Sequence, residues 1–96
     1  MVKQEVLDIA SATLGIPPED LLLLGLRRYL QSQLHDVQAN IFQIRGAYQV
    51  KDVLEMEELY QEDKLAEADS WRDLQRLDHL EYKQERLQHL LGNIHA

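Results

Sequence analysis

Two long apolar stripes, each advancing by alternating steps of three and four residues, restrict this chain more than any other feature of it. Leu30, Leu34, Val37, Ile41, Ile44 and Tyr48 form the first, and Leu77, Leu80, Gln84, Leu87, Leu91 and Ile94 form the second. A mean step of 3.5 residues is the repeat of an α-helix packed lengthwise on another helix, and it is incompatible with the two-residue alternation of a half-buried strand. No segment of the chain carries the strand pattern. The expected fold is therefore all-α, a long antiparallel helical hairpin with short flanking helices.

Stop and start signals divide the 96 residues into a single helical domain, residues 1–96, with four helices at about 2–14, 18–45, 51–60 and 65–91. Val2, Val6, Ile9, Ala10 and Leu14 recur at helical spacing up to Gly15, a residue suited to the left-handed conformation that closes a helix. Pro18 fits the first turn of the second helix, and Glu19 and Asp20 place negative charge at the positive end of its dipole. Gly46 is expected to end that helix. Leu65, Ala68, Trp71 and Leu74 open the last helix, in which Asp69 with Arg72 and Asp73 with Arg76 are spaced to pair along the solvent face.

A two-helix hairpin cannot cover every apolar residue present. Leu21, Leu22, Leu24, Leu26 and Leu90 lie outside its seam. Either the first helix folds back over them or a second copy completes a bundle, and a homodimer is the expected solution, with Leu30, Leu34, Val37, Ile41, Ile44, Leu77, Leu80, Gln84, Leu87 and Leu91 as its seam. Gln84 is polar within that seam, either setting register as buried amides do or sitting at a partly exposed edge.

Charge is placed unevenly. Residues 1–50 hold four Lys/Arg against five Asp/Glu, and residues 51–96 hold six against twelve, for a net charge of −7. The acidic half disfavours direct nucleic-acid binding and suits a basic protein partner, or serves solubility alone. Arg27 and Arg28 are too few for a nucleic-acid footprint. The leucine run that precedes them is too short and interrupted to span a bilayer, and residues 1–15 lack the pattern of a signal peptide, so a cytoplasmic location without membrane association is expected. The chain has no cysteine, which excludes disulfides, thiolate metal sites and a cysteine nucleophile.

Little else carries chemistry. Of His35, His79, His89 and His95, only His89 has a carboxylate, Glu85, one turn away, and no facing Glu-x-x-His pair completes a dinuclear site, so no metal and no cofactor are expected. Ser11, Ser32, Ser70 and Thr13 sit in helical contexts without an oxyanion-type loop. Trp71 is either a core anchor or an exposed hot spot for a partner.

Three resemblances attach to these residues. Glu55 and Glu58, with Asp78 and Glu81, resemble the paired carboxylates of all-α nucleotide pyrophosphohydrolases, with the second pair in reversed order; that likeness implies magnesium-dependent hydrolysis. The stretch Val6 to Leu34, with Ile9-Ala10, Leu14-Gly15-Ile16, Pro18-Glu19-Asp20-Leu21 and Leu26-Arg27-Arg28-Tyr29-Leu30, resembles the two helices of ribbon-helix-helix antitoxins and repressors, with only Met1 to Gln4 before the first helix, so that family's DNA-reading strand is not expected here. From Leu30 to Leu91 the chain is similar to small prokaryotic antitoxin-like helical proteins, through Ala47-Tyr48-Gln49-Val50, Leu54 to Tyr60 and Ser70-Trp71-Arg72-Asp73-Leu74. The last likeness implies a non-enzymatic protein whose acidic helical face masks a basic partner, with Glu55, Glu58, Tyr60 and Trp71 as contacts. The remaining alternatives are the magnesium-dependent hydrolase and a structural coiled-coil assembly factor.

Overall fold

The computed structural model describes residues 4–65 and 67–94, with side chains from residue 70 onward in the second segment. Within them are four helices: α1 (Gln4–Leu14), α2 (Pro18–Tyr48), α3 (Val53–Gln61) and α4 (Glu67–Gly92). The molecule is all-α and elongated, 60 × 23 × 17 Å. Val2 and His95, and the side chains of Ala68 and Asp69, lie outside what is described.

The two stripes meet as their period requires. Residues near the end of α2 contact the early part of α4, Tyr48 reaching Asp73 and Arg45 reaching Glu81, so the two helices run antiparallel. Val37, Ile41 and Ile44 from α2 pack with Leu74, Leu77, Leu80 and Leu87 from α4, and Leu30, Leu34 and Tyr48 lie half-buried against them. Burial of this seam within one chain leaves its central residues no surface to offer a second one. α3 continues in the sense of α2, antiparallel to the first half of α4, and contributes Met56, which is fully buried.

Gly46 does not end α2. A glycine in a helix interior costs about 1 kcal/mol relative to alanine, too little to stop a helix whose next turn is anchored by packing. The helix continues to Tyr48 and closes with Gln49 in the left-handed conformation (φ 54°, ψ 45°), the amides of Gln49 and Val50 both donating to the Arg45 carbonyl. Val50 is buried by this turn. A left-handed non-glycine residue costs roughly 1–2 kcal/mol, which burial of a valine side chain, about 1.5–3 kcal/mol, offsets. The same bond pattern closes α1, where Gly15 has φ 70° and the Ile16 amide donates to Ser11, and α3, where Asp63 has φ 56° and the Lys64 amide donates to Leu59. Each of the first three helices therefore ends at a left-handed residue followed by an amide that reaches back five residues, and only the first uses the glycine that makes such an ending legible.

α1 meets the helical segment that follows it at 95°. It has no buried residue, and no buried residue of α2 precedes Val37. The molecule thus has a packed stem, from about residue 30 to 92, and an arm formed by α1 and the first three turns of α2. Leu22, Leu23, Leu24, Leu26 and Tyr29 on the arm are exposed, so α1 does not fold back over the excess leucines. No single helix among the described residues is long and apolar enough to cross a membrane.

Leu77→Ala is expected to cost about 2–5 kcal/mol in urea unfolding followed by helical circular dichroism, whereas Phe42→Ala, at a site 78% exposed, stays within about 0.5 kcal/mol. In the same assay Gln49→Gly raises stability by about 1 kcal/mol, because it removes the left-handed strain without disturbing the turn.

Candidate interaction surface

α3 is short, and its position is set from both ends. Asp52 caps it, its side chain accepting from the Glu55 amide at 2.9 Å. The next free donor of its first turn, the Val53 amide, is satisfied from α4 by Glu81 Oε2 at 2.9 Å, and the same oxygen pairs with Arg45 Nη2 of α2 at 3.4 Å. Glu81 thereby joins three helices, and both carboxylates lie where the positive end of the α3 dipole favours anions. Tyr48 adds a fourth tie by donating to Asp73 Oδ2 at 2.6 Å, a partner taken from across the hairpin rather than from Arg76 along the helix.

With Met56 pointing into the core, the rest of α3 is placed by the 100° turn per residue of an α-helix. Val53, Glu57 and Tyr60 fall on one flank and Glu55 and Glu58 on the other. Tyr60 meets Trp71 of α4 with ring centroids 5.5 Å apart and planes tilted by 41°. Trp71 is not a core anchor: it is 49% exposed, and Ser70 takes the inner position at the start of α4. The small serine leaves room for α3 to approach, and the indole moves out to the flank. There it borders a groove of about 220 Å³ together with Val53, Glu57, Leu74, Gln75 and Asp78. Trp71, Gln75 and Asp78 follow at steps of four and three, one stripe of α4, so this face could have been read from the sequence.

The residues expected to contact a partner are thus divided. Tyr60 and Trp71 are brought together, whereas Glu55 and Glu58 border a separate depression of about 240 Å³ with Lys51, Asp52 and Leu54. The acidic residues beside the aromatic pair are Glu57 and Asp78, which Glu-x-x-Glu spacing does not single out. The division also bears on the hydrolase pattern: Glu55 and Glu58 border one depression and Asp78 another, and Glu81 is occupied by Arg45 and the Val53 amide. Among the described residues no three His, Asp or Glu side chains are grouped to hold a metal ion. His35, His79 and His89 are exposed. His89 borders a shallow cleft with Tyr82, Glu85 and Arg86.

Other charged contacts do not build a site. Arg45, Asp78, Glu81, Gln84 and Glu85 edge an open groove along the stem, in which the Arg45 Nε is buried without a hydrogen-bond partner among the described residues. Lys64, exposed, is held above its ordinary pKa by the hydrogen bond and charge of Glu62, 2.8 Å away.

Removal of the Glu81 side chain by alanine substitution leaves the Val53 amide and Arg45 without their acceptor, and is expected to cost about 1–3 kcal/mol and to speed amide exchange at the start of α3. Glu81→Gln, which keeps an acceptor oxygen, has the smaller effect on both measurements.

A family model described as "Uncharacterized protein MJ0235 family" matches residues 1–96. No curated protein and no solved structure matches the chain.

Proposed function

The chain belongs to the Uncharacterized protein MJ0235 family, and from the geometry of its stem we propose that it acts without catalysis, by binding a basic segment of a partner protein in the groove between α3 and α4. The observation that carries this reading is Trp71, half exposed and backed by Tyr60, standing beside Glu57 and Asp78. A lysine or arginine laid across an exposed indole gains a cation–π contact of about 0.5–2 kcal/mol, and a carboxylate on either side orients it. Tyr60 holds the indole in place, so little side-chain freedom is lost on binding. The excess of acidic residues in the second half of the chain attracts such a partner from a distance and discriminates against acidic ones. Glu55 and Glu58, on the far flank of α3, add to that field and touch the partner only if it wraps around the helix. In its narrower form the role is antitoxin-like, the acidic stem covering a functional basic surface of the partner.

Trp71 is the only tryptophan, so its fluorescence reports on the groove alone. Titration with a lysine- and arginine-rich peptide is expected to give a saturable change that weakens as salt is raised and at least tenfold on Glu57→Lys with Asp78→Lys, while an acidic peptide gives none. A fluorescence response equal for both peptides, or no response at all, overturns the proposal.

A further inference from the structure

The exposed side of the arm continues the seam of the stem. Counting back from Ile44, Ile41, Val37, Leu34 and Leu30, the same face of α2 carries Leu26 and Leu23, with Leu22 beside them, beyond the point where α4 ends at Gly92. All three are exposed, Leu26 at 49% and Leu22 at 55%. α1 does not reach this face. Leu21, the half-buried leucine of the run, lies about 160° around the helix from Leu23, and its burial marks the side on which α1 rests. A helix-packing stripe about two turns long is therefore left without the helix its period calls for.

The charges beside the stripe indicate what supplies that helix. Asp20 and Arg27 are both exposed and lie seven residues apart, so they flank the stripe on one side, separated by about 10 Å. Between them stand only Leu21, Leu22, Leu23, Leu24, Gly25 and Leu26. A segment that begins with an acid, ends with a base and is apolar between is complementary to itself reversed. In a two-fold pair the same flank of both helices faces the same way, so an antiparallel copy sets Arg27 beside the partner's Asp20 and Asp20 beside the partner's Arg27, while the leucines interdigitate. A parallel copy would place the two charged flanks on opposite sides of the pair, where neither charge meets its opposite. An unrelated basic or acidic segment would satisfy only one of the two.

We infer that the chain forms a two-fold dimer in which the first turns of α2 pack antiparallel on their counterparts in a second copy, with Asp20 and Arg27 paired between chains. The surface is separate from the groove at Trp71, and the dimer presents two such grooves at opposite ends. Isologous contacts of this kind close on themselves and do not propagate into filaments.

The test is light scattering after size exclusion, with sedimentation equilibrium on the full chain and variants checked for native helicity by circular dichroism. The wild type is expected at twice 11.2 kDa. Asp20→Arg alone and Arg27→Asp alone each weaken the dimer at least tenfold, and the two together restore it to within threefold of wild type. Leu23→Glu gives a folded monomer. A wild-type monomer at 100 µM or so, including one that instead sediments with phosphatidylcholine vesicles, overturns the inference. So does a dimer indifferent to the single changes, or one weakened by them and not restored by the exchange.

Discussion

The packing of the stem depends on how α2 is brought to an end. Four residues separate Tyr48 from Val53, and within them the chain steps aside and then continues in the sense of α2, so that α3 lengthens the surface along which α4 runs back. Burial of Val50 draws the turn inward, at the expense of a left-handed Gln49, and the carboxylate of Glu81 then receives both the first amide of α3 and the Arg45 guanidinium. A half-buried ion pair of this kind contributes little by itself. Its value is geometric, because the acceptor that satisfies α3 also fixes how far along α4 that helix sits. Met56 fills the space so defined, and Trp71 is left on the flank against Tyr60.

From that arrangement follows a division of labour along 60 Å. The stem is a small core closed by three helices. The arm has no core, and its leucines are held by helical geometry alone. A stripe that is paired over one part of its length and bare over the next is hard to account for as a monomer's surface, since a contiguous exposed apolar strip favours association of some kind. The proposed roles use the two parts differently: the stem carries an aromatic groove bordered by acids, and the arm carries a self-complementary apolar segment.

Much of this was legible in the sequence where periodicity was long. The antiparallel pairing of α2 and α4, the corner at Gly15, and the excess of leucines near residue 21 each follow from spacing and from one residue's backbone freedom. The end of α2 was not legible, since Gly46 is the stronger local signal and Gln49 the residue actually used; a helix end fixed by burial of a residue beyond it leaves no mark on composition. Trp71 was ambiguous for a related reason. Trp71 lies in phase with Leu74 and nothing in the spacing singles out Ser70, so only the approach of α3 shows that the smaller residue takes the inner position.

Taken alone, the order of residues determined the helical fold, the seam period of the two main helices and the acidic bias of the second half, because these depend on short-range spacing and on charge totals. Only the tertiary structure decided which carboxylates stand together. Glu55 and Glu58 share a helix with Glu57 but face away from it, and Asp78 joins Glu57 from another helix. Neighbours across an interface are set by how two helices rotate about their axes when side chains of unequal size are packed between them, and that rotation is a property of the pair, not of either segment.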